Sequence, residues 1–236
     1  ITFQPSELVK IVFILAGAAT LDRLFAKRNL IFTILFSAYC VGCLALMSDF
    51  GTALIFFVAF LCIAFLRTGD LPSIVMITAA AGFAGGIVLR FKPYVLARFA
   101  VWRHAWEYAQ EEGYQQTRTM SAVASGGLFG AGPEEAWLKY VGAANTDLVF
   151  GVVSEEFGLL LALCAAAAVI LLGIYALRAA GRSRSSFYAI AACATAAMLV
   201  FQTTLNVLGS VDLLPLTGVT FPFVSMGGSN PPANLP

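Results

Sequence analysis

Charge is scarce in this sequence. Of its 236 residues, 14 are Lys or Arg and 13 are Asp or Glu, so only 11% are charged, against about 25% in soluble domains. Hydrophobic residues make up 60%, and the mean hydropathy is +0.86. A soluble particle of this size cannot hide so much apolar surface from water. A soluble enzyme, a disordered chain and a disulfide-stapled secreted domain are therefore excluded, and a polytopic membrane protein is left. The net charge of +1 identifies no partner, and nucleic acid is not expected as one. Histidine occurs once, at His104; with no Cys or His nearby it is a poor metal ligand and reads as an interface residue. A disulfide framework is also missing. Cys40, Cys43, Cys62, Cys164 and Cys193 all lie inside apolar runs and read as small apolar residues and thiols. Cys40 and Cys43 have helical ligand spacing, but neither a His nor a carboxylate sits close by. The chain starts at Ile1 without a short cleavable leader, and it is expected to be a piece of a longer protein.

What is abundant is long apolar runs. A helix crosses the hydrocarbon layer in about 20 mostly apolar residues. Such runs extend from about Leu8 to Phe25, Leu30 to Met47, Thr52 to Leu66, Ile74 to Leu89, Phe157 to Leu177 and Phe187 to Leu208, the fifth being counted as one segment from residue 148. Continuous rather than alternating runs argue against a barrel. The expectation is an all-α, polytopic transmembrane helix bundle forming one membrane domain over residues 1–236. Arg23 lies at the end of the first run with Lys27 and Arg28 just after it, Arg67 follows the third, and Arg178, Arg182 and Arg184 follow the fifth. Alternating sides puts all seven on one face, which the positive-inside rule makes cytoplasmic. Residues 90–146 are then a long extracytoplasmic loop, and the tail after Ser210 lies on the same side.

That loop is polar and glycine-rich. It carries Arg90, Lys92, Arg98, Arg103, Arg118 and Lys139 together with Trp102, Trp106, Tyr108, Tyr114, Trp137 and Tyr140. Such aromatics settle at headgroup level, and concentrated cations favour an anionic ligand such as a lipid phosphate. Plain headgroup contact is the other reading. The stretch Ser125-Gly126-Gly127-Leu128-Phe129-Gly130-Ala131-Gly132 follows no strand, so a nucleotide loop is rejected. A close backbone approach to a ligand or a tight re-entrant turn remains.

Ionisable groups in or near spans cost several kcal/mol unless paired or solvated, so each marks a site. Glu7 and Lys10 share one helix face, either as a structural pair or lining a polar cavity. Asp49 precedes Gly51 and Thr52 and also suits a helix N-cap. Asp147 lies where the long loop enters the fifth run. There it suits a general base, a metal ligand or an N-cap. Glu155 and Glu156 are adjacent and point about 100° apart on a helix, so both cannot face one cavity.

Taken in order, several islands resemble the SEDS family (shape, elongation, division and sporulation), the RodA/FtsW-type peptidoglycan polymerases. They are Phe3-Gln4-Pro5-Ser6-Glu7-Leu8-Val9-Lys10, Asp49-Phe50-Gly51-Thr52, Gly113-Tyr114-Gln115 and Ser125-Gly126-Gly127-Leu128-Phe129-Gly130. Then come Thr146-Asp147-Leu148-Val149-Phe150, Glu155-Glu156-Phe157-Gly158, and Leu214-Pro215 through Phe221-Pro222-Phe223-Val224-Ser225 to Gly227-Gly228-Ser229. The departures are Ala143 where the family has an acidic residue, Met47-Ser48 for its Gln-Pro, Arg118-Thr119 for its Gln-Ser, and Met226 for its Tyr. The family has more spans than the six read here, and Asn230-Pro231-Pro232 cannot easily continue a helix. A fragment or a diverged member is expected.

The resemblance implies a peptidoglycan glycosyltransferase in the bacterial cytoplasmic (inner) membrane. It would polymerise lipid II, the undecaprenyl-diphosphate-linked disaccharide-pentapeptide, and release undecaprenyl diphosphate. The family's catalytic aspartate falls on Asp147 and its cavity lysine on Lys10. Arg98 falls near the basic residues that hold the diphosphate. Glu7, Asp49, Gln115 and Glu155 complete the implied substrate-binding set. A divalent cation, Mg2+ or Mn2+, is implied for some members, with Asp147 as its possible ligand, and the implied protein partner is a class B penicillin-binding protein. Two other readings stay open. Lys10 with Glu7 inside a bundle suits a lipid II flippase, although no inverted repeat is evident. Ala143 in the acidic position suits a non-catalytic scaffold for the transpeptidase.

Overall fold

The computed structural model describes residues 5–22, 27–46, 49–91 and 93–225. Phe3-Gln4, Met47-Ser48, Lys92 and everything from Met226 onward lie outside the described residues. Among the described residues every regular element is a helix: α1 (Pro5–Asp22), α2 (Lys27–Leu46), α3 (Phe50–Thr68), α4 (Leu71–Phe91), α5 (Pro93–Val101), α6 (Tyr114–Gly126), α7 (Val149–Phe157), α8 (Leu159–Ala180) and α9 (Ser186–Ser210). A 3-10 turn spans Leu138–Tyr140. The all-α fold expected from the apolar runs is what forms. α3, α8 and α9 are long and apolar enough to cross a bilayer, and α1, α2 and α4 contain shorter apolar stretches, Leu8–Ala19, Ile34–Leu44 and Leu71–Gly86. This is a membrane protein. α8 carries Leu160, Leu163, Leu171 and Ile174 exposed along its length, a surface that suits lipid and not water.

The chain forms two compact units. One consists of residues 5–87 with 170–201. In it α1, α2 and α3 pack together. The Asp49 carboxylate accepts the Thr52 N–H at 3.1 Å and starts α3. Gly69, with φ +63, ends the helix by returning its N–H to the Phe65 carbonyl at 2.8 Å. The buried stripe Ile55, Phe56, Ala59, Phe60 and Ile63 has helical period and faces α1 and α2. Phe13 meets Phe56 edge-on at 5.0 Å and Phe36 stacked at 5.9 Å. The Gly17 backbone comes so near α3 that a Cβ there would lie 2.9 Å from Ile63 Cδ1.

The other unit is built from Val88–Val169 and the segment from Gln202, and here two sequence expectations change. The stretch expected as a long loop is partly helical, because it contains α5, α6 and the 3-10 turn. α6 is too polar for any apolar-run count to find. Its hydroxyls fold back onto its own carbonyls instead: Thr117 Oγ1 to Gly113 O at 3.0 Å, Thr119 Oγ1 to Gln115 O at 2.7 Å and Ser121 Oγ to Thr117 O at 2.9 Å.

The segment expected as one helix from residue 148 is also divided, at Gly158. There φ is +93, and a Cβ would lie 2.6 Å from Phe129 Cα. The glycine-rich stretch docks at this break. The Gly127 and Leu128 carbonyls accept the N–H groups of Leu159 (3.0 Å) and Leu160 (3.3 Å), two of the donors that a helix start leaves without a partner. The close backbone approach of these glycines is made to the protein's own chain. Gly126 shows the same constraint, since a Cβ there would lie 2.6 Å from Glu155 Cα.

Candidate functional site

Asp147 is delivered by a tight turn. Ala143 takes φ +64, and its carbonyl accepts the N–H groups of Thr146 (3.2 Å), Asp147 (3.0 Å) and Leu148 (3.3 Å). The N-cap position of α7 is held by Leu148, one residue later, and Asp147 itself is half-buried at the helix start.

The segment after α9 closes around this aspartate. Asn206 on α9 donates its Nδ2 to the Asp147 carbonyl at 2.9 Å and to the Val219 carbonyl at 2.6 Å. Ser225 Oγ donates to the Thr146 carbonyl at 2.7 Å and accepts the Phe221 N–H at 2.7 Å. Gln202 Nε2 donates to Thr220 O at 2.8 Å and to Thr220 Oγ1 at 2.9 Å. Between these ties lies Gly218, with φ +70. A Cβ placed on it would lie 3.2 Å from Asp147 Oδ2 and 3.7 Å from Arg98 Nη1. The carboxylate and the guanidinium therefore flank one point of backbone. Arg98, half-buried on α5, donates Nη1 to the Leu216 carbonyl at 2.8 Å. The hydroxyl of the neighbouring Thr217 is buried without a protein partner.

Arg98 and Leu216 also line a hollow of about 330 Å³ whose other walls include Glu111, Glu112, Tyr114, Gln115 and Gln116. Its frame is tied by buried Gln116, which donates Nε2 to Asp212 Oδ1 at 2.8 Å and to the Gly209 carbonyl at 3.2 Å. The same Asp212 oxygen accepts the Arg103 N–H at 3.0 Å, and Trp102 Nε1 donates to the Leu213 carbonyl at 3.2 Å. Arg118 lies over the Tyr114 ring, 5.1 Å from its centroid. The arrangement offers a carboxylate acceptor, a fixed cation and a mixed polar cavity of the size that takes a small polar ligand.

Of the residues expected from sequence, Asp147 and Arg98 meet at Gly218, and Gln115 lines the hollow beside them. Glu155 does something different. Only 1% exposed, its two oxygens accept the backbone N–H groups of Trp137 (3.1 Å) and Leu138 (2.9 Å), so it braces the turn leading to Asp147. Asp49 serves as the N-cap of α3. Lys10 is 4% exposed on α1, one turn before Phe13; like Asp49, it belongs to the other compact unit. Glu7 lies outside the residues whose side chains are described. Asn206, Gln116, Asp212 and Gly218 were not singled out from sequence; the polar run at the end of an apolar helix, Gln202-Thr203-Thr204-Leu205-Asn206, was the available signal, since polar groups inside spans are costly.

Among the described residues no group of three His, Cys, Asp or Glu side chains is gathered to hold a metal. The donor set does not make a cage of protein ligands. A single carboxylate such as Asp147 does fit the way Mg2+ is held, by one or two carboxylates plus substrate phosphates.

The family model of the FtsW/RodA/SpoVE cell cycle proteins matches residues 1–235. The chain is 31% identical over 98% of its length to a probable peptidoglycan glycosyltransferase FtsW of Coxiella burnetii, of which it covers 64%. It is 29% identical over 97% of its length to the FtsW of the same description in Bacillus subtilis, covering 61%. It is 30% identical over 99% to the peptidoglycan glycosyltransferase RodA of Mycobacterium leprae, covering 54%. The chain thus spans less than two-thirds of the length of these relatives. A chain from a solved structure described as "Structural coordination of polymerization and crosslinking by a peptidoglycan synthase complex" shares the fold, with a TM-score of 0.75 and 24% identity over 97% of this chain and 65% of that one.

Proposed function

The chain belongs to the FtsW/RodA/SpoVE family of cell cycle proteins, and on that footing we propose that it carries the reaction centre of a peptidoglycan glycosyltransferase. The substrate is lipid II, and the site works at the outer face of the bacterial cytoplasmic membrane. The observation that carries this reading is the placing of the Asp147 carboxylate and the Arg98 guanidinium at Gly218, with Arg98 also lining a hollow of mixed polar and apolar walls.

The chemistry follows from these two groups. Asp147 accepts the proton of the acceptor sugar hydroxyl as a general base. The oxygen so freed attacks the anomeric carbon of the donor sugar. The bond between that carbon and the diphosphate oxygen breaks, and its electron pair leaves with undecaprenyl diphosphate. Arg98, held by the Leu216 carbonyl, presents positive charge where this negative charge develops. Its fixed position means little reorganisation is needed at the moment of reaction. Asp147 is the residue that would hold Mg2+ or Mn2+, and the ion would supply further charge neutralisation. The glycan strands are the substrate that a class B penicillin-binding protein crosslinks, and such a transpeptidase is the proposed partner.

The test is polymerisation of purified lipid II by the full-length protein with and without Asp147→Asn. Polymer from the unmodified protein and its loss in the variant are expected. Equal product from both rejects the role of Asp147, and movement of labelled lipid II across liposomes without polymer identifies a flippase instead.

A further inference from the structure

We propose that Asn206 is the positioning residue for Asp147, a role that rests on the catalytic reading of that aspartate. Asn206 is 2% exposed. Its amide nitrogen carries two hydrogens, and both find carbonyls: one belongs to Asp147, the other to Val219, the residue after Gly218. One side chain on α9 thus joins the two backbone segments between which the carboxylate and Arg98 are set. The side chain makes these bonds outward from its own helix, whereas its backbone carbonyl is occupied by Ser210 Oγ at 2.8 Å.

The orientation of the amide is dictated by chemistry. An amide oxygen turned toward two carbonyl oxygens would be repelled by both, so Nδ2 must face them. Oδ1 is then left buried without a protein partner. Keeping a buried acceptor unsatisfied costs stability, and such a cost points to a role beyond packing. A leucine has the same branching at Cγ and suits an apolar helix, but it has no donor. An aspartate has the right shape and the wrong charge: it would meet the Asp147 and Val219 carbonyls with oxygen. Without this tie the peptide of Asp147 can turn, and the carboxylate leaves its place against Gly218. Misplacement by about 1 Å can cost about 100-fold in rate.

Two arms test this in the full-length protein. In the first, lipid II polymerisation is followed for Asn206→Asp and Asn206→Ala, with thermal unfolding as a check that each folds. A fall in kcat of about 10- to 100-fold with KM within about 2-fold is expected. Asn206→Asp combined with Asp147→Asn is expected to be no slower than Asp147→Asn alone, because Asn206 acts through that carboxylate. In the second arm, Asp147→Cys is labelled with a maleimide and the rate at residue 147 is read by peptide mass spectrometry, with Asn206 intact and with Asn206→Asp. A changed rate is expected. A loss confined to KM, a further loss in the double variant, or an unchanged labelling rate overturns the proposal. If the unmodified protein makes no polymer, the glycosyltransferase reading fails while the labelling arm still decides whether Asn206 places residue 147.

Discussion

The Asp147 carboxylate and the Arg98 guanidinium meet at the α-carbon of Gly218, where an added Cβ would lie 3.2 Å from Oδ2 and 3.7 Å from Nη1. Carboxylate and cation are thereby set on either side of a residue that has no side chain of its own. Gly218 also needs its φ of +70, which an L residue adopts only with strain of about 1–2 kcal/mol. Gly218→Ala is expected to lower thermal stability modestly and to cut polymerisation of lipid II by about tenfold or more, because the new methyl pushes the carboxylate aside. Unchanged turnover in a folded Gly218→Ala protein would remove Gly218 from the site.

Arg98 combines a structural bond to the Leu216 carbonyl with the positive charge that the proposed reaction sets against its leaving group. Arg98→Lys keeps the charge and loses the planar donor array. Polymerisation is expected to fall in Arg98→Lys and to fall further in Arg98→Ala, with the larger part of the loss in kcat. Steady-state kinetics with lipid II separates the two terms. A change in KM alone would make Arg98 a binding residue with no share in the transition state.

Glu155 provides a contrast. Its oxygens satisfy two backbone donors, Trp137 and Leu138 N–H. Leaving a buried donor unpaired costs about 1–3 kcal/mol. Glu155→Ala is therefore expected to lower the thermal midpoint clearly, while the fraction that stays folded keeps the KM of the unmodified protein. A raised KM without loss of stability would instead assign Glu155 to the substrate.

Asp49 is expected to matter only for helix stability. Its carboxylate caps α3 through Thr52 N–H, an interaction worth about 1 kcal/mol. Asp49→Asn, itself a good cap, should be close to neutral in thermal unfolding, and Asp49→Ala should lose about that amount. A large loss of polymerisation in Asp49→Asn would show that the charge has a second use.

Hydropathy made the membrane helices legible because apolar side chains have one low-energy environment, and a run of them declares it locally. The ordered islands singled out Asp147, and the place of Arg98 after the span that precedes the long loop singled out that cation. α6 escaped notice because its residues are largely polar, with hydroxyls satisfied by their own helix carbonyls, and no apolar run announces such a segment. The division at Gly158 escaped for a related reason. The surrounding residues are apolar on both sides, and the cause of the break is a distant loop whose carbonyls take over the start of α8.

By itself the sequence determined an all-α membrane protein and the residue types available for chemistry, since both depend on composition and local order. Which of those residues stand together was decided by tertiary structure. The ties that build the site join Asn206 to Asp147 across 59 positions and Arg98 to Leu216 across 118. Each is a hydrogen bond to a backbone carbonyl, a group every residue carries, so no side-chain pattern at the receiving end could have advertised it.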